Sequence, residues 1–219
     1  MKHYNQNDYL LEKIIPFDLK RVRSIEDLLE NLKYCGFQGR NLGKAFEILE
    51  KMVKDEECLT VLALSGAMVP AGMGNLICSL IEYHIIDVLI TTGANIAHDL
   101  VDAIVNIGHY IGSPNVDDNE LYKLKINRIY DIFLPEDNYI KTEKKLLEII
   151  NEIFEDKKIE IAPSEFLKHI GKKIKKRSIL SVAAKHDIPI FIPAFSDSEL
   201  SLDLIRFTIN EGYEFNFNI

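Results

Sequence analysis

The chain lacks tryptophan and holds only 3 cysteines among its 219 residues. Cys35, Cys58 and Cys78 are widely spaced and form no C-x-x-C pair, so neither a disulfide framework nor a cysteine zinc site is indicated. We expect reduced thiols, mostly buried. We also predict no metal site, because His98 and His109 lack the i, i+4 spacing of a metal-binding helix.

Long hydrophobic runs are also missing. No apolar stretch approaches the roughly 20 residues that a membrane-spanning helix needs, and the polar start, residues 1–4, is unlike a signal peptide. Hydrophobic residues nevertheless make up 47% of the chain, which is enough for a sizeable core. The sequence therefore predicts a cytoplasmic protein without a membrane partner.

The chain contains fewer basic than acidic residues. The chain has 26 Lys and Arg against 34 Asp and Glu, a formal net charge of -8. This balance disfavours non-specific binding to nucleic acid, so we expect no nucleic-acid partner. A basic cluster over residues 172–177 is the local exception, and we interpret it as a surface turn between two helices.

What the chain does contain is a repeated strand–turn–helix pattern. Residues 59–64 form an apolar run typical of a buried parallel strand covered on both faces, and a small, glycine-bearing turn, 65–67, follows it. After residues 70–72 the apolar positions return at spacings of three and four, which predicts one face of a helix. Those positions are Met73, Leu76, Ile77, Leu80 and Ile81.

A second unit follows directly, with a strand over 85–90, a turn over 91–95 and a helix over 96–107. Two such units in succession predict an α/β fold with a doubly wound, mostly parallel sheet and helices on both faces. Turns at the carboxyl ends of parallel strands expose backbone N–H groups and helix N-termini, which can receive phosphates. Neither turn matches G-x-G-x-x-G or the P-loop, so a nucleotide site and ordinary strand-to-helix turns both stay open.

A third unit lies downstream, where an apolar run over 188–194 leads into residues 195–197 and a helical pattern. Asp197 could accept both hydroxyls of a ribose or could cap the helix, and the sequence alone favours the cap. Pro189 and Pro193 argue against a central strand, because proline cannot donate to the hydrogen-bond ladder.

The other segments predict helices and a loop. A helix over 25–32 capped by Ser24, an amphipathic helix around 146–154 and a helix capped by Ser164 are expected. An apolar stripe between Leu42 and Val53 is expected to pack on the sheet as core, and residues 108–119 form a polar loop. No linker is evident, so we predict a single domain over residues 1–219.

These residues carry a specific resemblance to deoxyhypusine synthase, in the archaeal and bacterial branch of that family. The resemblance covers nearly the whole chain, and its motifs occur in family order. The matching stretches are 36–43 (GFQGRNLG), 64–72 (LSGAMVPAG), 87–99 (DVLITTGANIAHD), 108–113 (GHYIGS), 127–131 (NRIYD) and 188–194 (IPIFIPA) with Asp197.

The resemblance implies a transferase that uses NAD to oxidise the aminobutyl part of spermidine. The imine then passes through an active-site lysine to one lysine of a translation factor, which becomes hypusine-modified. The resemblance also implies a homotetramer of tight dimers, with the active sites at the dimer interface. Carried over by position, the cofactor-binding residues are Ser65, Gly66, Met68, Thr92, Gly93, Ala94 and Asp197, and the last is then a ribose ligand rather than a cap.

The resemblance also places His98 and Asp99 at the polyamine. Eukaryotic members carry two acidic residues where this chain has Ala97 and His98, and an imidazole cannot hold an ammonium group as a carboxylate does. The His-Asp pair is usual in the archaeal and bacterial branch, so it bears on which amine is used. His98 taken alone is more typical of an ordinary helix residue.

The family sequence continues beyond the residues present here with a glycine-rich loop and the catalytic lysine. We therefore assign no catalytic residue, and we interpret the lysine pairs 144–145, 157–158 and 172–173 as solvated helix faces. The resemblance implies a C-terminally truncated fold that needs a complementing region or partner, in a homo-oligomer or hetero-oligomer. The alternatives are a non-catalytic NAD-binding or regulatory subunit and a homospermidine-forming relative.

Overall fold

The computed structural model describes Asn5, residues 8–106 and residues 108–218. The chain divides into two compact units, Met1–Cys58 and Leu59–Ile219, and each is described by itself. The single domain over residues 1–219 stays a prediction. In chain order the elements are α1 (Ile25–Leu32), α2 (Phe37–Lys54), β1 (Val61–Leu64), α3 (Gly74–Glu82), β2 (Val88–Thr91), α4 (Gly93–Val105), β3 (Tyr110–Ile111), α5 (Asp118–Lys123), β4 (Ile126–Ile129), β5 (Ile132–Pro135), α6 (Glu136–Ile153), β6 (Lys158–Ile161), α7 (Pro163–Lys173), α8 (Ile179–His186), β7 (Ile190–Phe191), α9 (Glu199–Glu211) and β8 (Glu214–Phe217).

The first unit is a helical hairpin of α1 and α2. Helix α1 has its predicted bounds, and the Ser24 side chain caps it by accepting the backbone N–H of Asp27 at 3.0 Å. The apolar stripe on α2 is not core as predicted, because Leu42, Leu49 and Val53 are all exposed. The spacing identifies an apolar face, but it does not show whether another element covers that face.

The second unit contains the predicted parallel sheet. In the described part of the chain the strand order is β1-β2-β7, and both neighbouring pairs are parallel. The third strand–turn–helix pattern, which begins at residue 188, therefore does supply a strand, β7, but this strand pairs over only two residues. Pro189 and Pro193 flank that short ladder, as expected for residues that cannot donate to it.

One detail of the predicted strand β1 and one of the predicted helix α3 are wrong. Strand β1 is not covered on both faces, because Val61 is 44% exposed and Ala63 is exposed, while Leu62 and Leu64 pack against the core. A short apolar run does not distinguish one covered face from two. On α3, Ile77 and Ile81 of the predicted apolar face are buried, but Leu76 is exposed and Cys78, which was not part of that face, is buried.

Further strands were not predicted. The described residues also form an antiparallel sheet, β3-β5-β4, and a parallel pair, β6 with β8. Residues 108–119, predicted as a loop, include β3 and the start of α5, whose lengths are too short to show a periodic pattern. The predicted Ser164 cap is also wrong, because α7 begins at Pro163, which suits the first helical position since it lacks an N–H.

A continuous apolar core joins the sheet to the helices of the second unit. Its largest fully buried side chains include Tyr213, Phe166, Ile81, Leu89 and Ile96. No helix among the described residues is long and apolar enough to span a membrane.

The basic cluster is a turn between α7 and α8 only in part, because Lys172 and Lys173 belong to the last turn of α7. Three of its cations are engaged, and Lys173 pairs with Glu152 at 3.5 Å. The Lys176 Nζ atom donates to the carbonyl oxygens of Asp102 and Asn106 at the end of α4, and Arg177 pairs with Glu82 at 2.6 Å.

Candidate functional site

The three turns predicted to hold the ligand lie at one edge of the sheet. Strands β1, β2 and β7 are parallel neighbours, so their carboxyl ends meet at the same edge. Ser65 and Gly66 follow β1, Thr92 to Ala94 follow β2, and Asp197 follows β7. The topology therefore gathers all the predicted cofactor-binding positions, including Met68, at what we call the cofactor edge.

The turn after β1 is open. Gly66 has a φ of 69°, which favours glycine, and no described atom lies within 4 Å of where its Cβ would be. Ser65 and Gly66 are exposed, and Met68 is 38% exposed. A kinked turn, Val69–Met73, in which Gly72 has a φ of 86°, then leads into α3. The exposed backbone leaves room for a ligand to approach.

The turn after β2 passes directly into a helix. Helix α4 begins at Gly93, three residues before the predicted start, and Thr92 caps it by accepting the N–H of Asn95 at 3.3 Å. Thr92 and Ala94 are exposed. The free N–H groups of the first helical turn therefore lie at the cofactor edge, where the helix dipole favours an anion. The predicted end of this helix, residue 107, lies outside the described residues.

Asn95, whose role no sequence pattern indicated, joins the first two turns. This buried side chain accepts the backbone N–H of Val69 at 3.2 Å and donates to Thr91 Oγ1 at 3.2 Å. A buried amide must satisfy its polar groups, and here it does so by fixing one turn against the other. An amide within an otherwise apolar helix face could have drawn attention to Asn95. Its partner Val69 lies 26 positions earlier in the chain, however, so the contact itself was not visible in the sequence.

The second and third turns touch at Gly93. A Cβ on Gly93 would lie 2.2 Å from the Cβ of Ser198, so only glycine fits there. Ser198, not Asp197, caps α9, since its Oγ accepts the N–H of Ser201 at 3.3 Å. The interpretation of Asp197 as the cap is therefore wrong. The Asp197 carboxylate is exposed and makes no hydrogen bond or ion pair with any residue that the structure describes.

Asp99 is held by the protein backbone. Its two oxygens accept the N–H groups of Ile179 and Leu180 at 2.8 and 3.0 Å, at the start of α8. Burial raises the pKa of Asp99 to about 6, although the two N–H groups act in the opposite direction. Asp99 thus fixes α8 against α4, and its role as a polyamine ligand stays a prediction.

His98 belongs to a hydrogen-bonded chain that the sequence did not suggest. Its Nδ1 lies 2.9 Å from Nε2 of His109, and Nδ1 of His109 lies 2.8 Å from Oδ1 of Asp102. That oxygen also accepts the N–H of Gly108 at 3.0 Å. His98 and Asp102 are four residues apart on one face of α4, which was a usable signal, but the bridging His109 comes from a loop.

The two ends of this chain of groups, His98 and Asp102, have pKa values shifted by their surroundings. Burial, followed by the nearby His109, lowers the pKa of His98 to about 4. Burial acts to raise the pKa of Asp102, but the interactions with His109, the N–H of Gly108 and the charge of Lys176 together outweigh it and lower the pKa overall. At neutral pH Asp102 is therefore a carboxylate and His98 is an uncharged imidazole.

A cavity of about 340 Å³ lies beside these groups. Asp99, Asp102 and His109 line it, together with Cys78, whose pKa is raised to about 12 chiefly by burial. The thiol is therefore protonated and unreactive at neutral pH. Within the described ranges no group of three or more His, Cys, Asp or Glu side chains is arranged to hold a metal ion.

A comparison with solved structures identifies the fold of this chain. A crystal structure described as "a putative deoxyhypusine synthase from Entamoeba histolytica" matches with a TM-score of 0.68 at 22% identity, covering 94% of this chain and 71% of that one. The predicted α/β fold, with its parallel strands and helices, is therefore confirmed.

Curated relatives give the family. A Methanosarcina mazei protein described as "probable deoxyhypusine synthase 2" is 37% identical over 87% of this chain and 55% of its own length. A Coxiella burnetii "deoxyhypusine synthase-like protein" is 32% identical over 90% of this chain and 56% of its own length.

This chain thus spans about half the length of the curated relatives it matches. The family model for deoxyhypusine synthase matches residues 27–219. The chain belongs to the deoxyhypusine synthase family.

Proposed function

We propose that this chain provides the cofactor-binding edge and part of the amine site of a deoxyhypusine synthase-type transferase in the cytoplasm. In this function NAD oxidises the aminobutyl part of spermidine, and the group passes to a lysine of a translation factor. The observation that carries the proposal is the convergence of three turns at one sheet edge in a member of this family.

The residues present at the cofactor edge fit NAD. The N–H groups of Gly93 and Ala94 begin a 13-residue helix and suit the pyrophosphate. The Asp197 carboxylate, which has no partner among the described residues, can accept both hydroxyls of a ribose, and the open Ser65-Gly66 turn gives the cofactor access. When bound, NAD would accept the hydride that leaves the carbon next to the amine nitrogen.

The polyamine would meet His98 rather than a free carboxylate. Both oxygens of Asp99 already accept backbone N–H groups, so any contact that Asp99 makes with an ammonium uses its remaining lone pairs. The net charge of -8 attracts a polycation over longer distances. The transfer lysine is proposed to come from a complementing region or subunit, in a homo-oligomer or hetero-oligomer.

The test is native purification from the source, with intact masses of every copurifying chain, followed by an assay of the purified assembly. We expect NAD and spermidine together to form NADH, and omission of spermidine to abolish the signal. NAD binding without spermidine-dependent NADH would instead indicate the non-catalytic subunit. Transfer to a small amine rather than to a protein lysine would indicate the homospermidine-forming relative.

A further inference from the structure

We propose that Asp102, His109 and His98 form a proton relay, which takes a proton from the amine substrate at Nε2 of His98 and carries the positive charge to His109. The relay rests on the proposed function, because it names how the ammonium form of a polyamine would lose a proton before oxidation. His98 would contact the amine, and His109 and Asp102 are positioning residues.

The hydrogen-bond directions follow from Asp102. Its carboxylate can only accept, so Nδ1 of His109 must donate to it at 2.8 Å. When His109 is neutral, its Nε2 therefore carries a lone pair and must accept the hydrogen bond from Nδ1 of His98 at 2.9 Å. One ring nitrogen of His98 then remains unprotonated, namely Nε2.

That nitrogen is accessible. Nε2 of His98 has no hydrogen-bond partner among the described residues, and within that part of the chain no buried side-chain nitrogen or oxygen lacks a partner. Nε2 of His98 is therefore not a fully enclosed atom, although His98 as a whole is only 8% exposed. An acceptor on a buried, fixed ring is suited to a ligand that donates an N–H.

The proton balance is simple. The ammonium N–H bond breaks and the proton binds Nε2 of His98, while the proton on Nδ1 of His98 moves to Nε2 of His109. His109 becomes an imidazolium ion paired with Asp102, and the amine nitrogen keeps its electron pair. His98 is neutral before and after, so the buried ring never carries the charge that burial disfavours.

The surrounding groups fit this direction of transfer. Tyr139 on α6 lies with its ring centre 6.2 Å from that of His98, and burial, followed by Glu199 and Glu136, raises its pKa to about 12. It therefore stays a phenol and cannot take the proton. Lys176 faces Asp102 from the loop before α8, and Asp99 of α4 is bound to the α8 backbone. The charges that act on His98 are His109 and Asp102.

The test is nuclear magnetic resonance of the whole chain with nitrogen-15 in its histidines, between about pH 5 and 8, where imidazoles titrate. We expect His98 to stay neutral while its proton moves from Nδ1 at high pH to Nε2 at low pH, in step with protonation of His109. In Asp102→Asn both changes should shift together to lower pH, because the carboxylate no longer stabilises the imidazolium. A fixed tautomer of His98, or independent formation of its imidazolium, would overturn the relay.

A matched control is His169→Gln, since His169 is only partly buried and its ring hydrogen-bonds only to the carbonyl oxygen of Glu165 on its own helix. It should leave the His98 transition unchanged. In the purified assembly, Asp102→Asn should reduce spermidine-dependent NADH formation about tenfold or more and move the acid limb of its pH profile to lower pH. NADH formation with a fixed His98 tautomer would refute the relay alone, whereas a coupled tautomer change without NADH would refute the proposed function.

Discussion

At the scale of single residues, Gly93 is the most constrained position of the cofactor edge. Its missing side chain lets Ser198 approach, and an added Cβ would lie 2.2 Å from the serine Cβ. We expect Gly93→Ala to destabilise the fold by about 1–3 kcal/mol through overpacking, and to weaken NAD binding because the start of α9 is displaced. Thermal unfolding and calorimetric titration with NAD would measure the two effects.

Gly212 supplies the matched control for that substitution. It caps the other end of α9 with a φ of 75°, and no described atom lies within 4 Å of an added Cβ. Gly212→Ala should therefore cost about 1 kcal/mol through backbone strain alone and leave NAD affinity unchanged. Equal loss of affinity in both variants would show that the close packing at Gly93 does not shape the cofactor edge.

Asp197 tests the ribose assignment. The carboxylate has no partner among the described residues, so Asp197→Asn should leave stability almost unchanged. If it binds the ribose, the loss of charge should weaken NAD binding about 10- to 100-fold, the range for a hydrogen bond to a charged group. Glu160→Gln, at an exposed carboxylate on β6, is the control. An unchanged dissociation constant in Asp197→Asn would exclude this role.

At the scale of elements, α9 carries a buried carboxyl group that opposes folding at high pH. Burial, followed by Glu143 and Glu199, raises the pKa of Asp203 to about 7, although Arg206 acts against this rise. A carboxyl whose pKa is higher in the folded chain stabilises the fold below its unfolded pKa, about 3.9. That stabilisation is lost as the pH rises through about 7.

We therefore expect Asp203→Asn to be more stable than the original chain at about pH 8, by roughly 1–3 kcal/mol, with the difference vanishing near pH 4. Asp187 gives a control of opposite sign, because hydrogen bonding to Lys168 lowers its pKa. Asp187→Asn should lose a little stability at pH 8. Denaturant unfolding at both pH values would measure these differences. An Asp203→Asn variant less stable than the original chain at pH 8 would contradict the raised pKa of Asp203.

Local pattern explains which elements could be predicted. Helix α1 was predictable to the residue because a capping serine precedes an amphipathic run, and the turns of the cofactor edge were predictable because each follows an apolar strand directly. The partners of Asp99 lie 80 and 81 positions later. No local pattern contains such a contact. The contact of Asn95 with Val69 and the contacts of His109 with His98 and Asp102 of α4 also join separate segments, so local pattern could not predict them.

At the scale of the whole molecule, the core and the cofactor edge both belong to the second unit. The buried core residues lie between Val69 and Tyr213, and the predicted cofactor-binding positions lie between Ser65 and Asp197. Residues 1–58 contribute a helical hairpin with an exposed apolar face. The sheet and the three turns of the cofactor edge are therefore encoded downstream of Cys58.

This division predicts that a chain of residues 59–219 folds alone and binds NAD with an affinity within about threefold of the full chain, a difference of less than 1 kcal/mol. The reason is that no core residue is removed and each turn of the cofactor edge keeps its supports, namely Asn95, Thr92 and Ser198. Circular dichroism would establish folding, and calorimetry would compare the affinities. A folded fragment that has lost NAD binding would show that residues 1–58 contribute to the cofactor site.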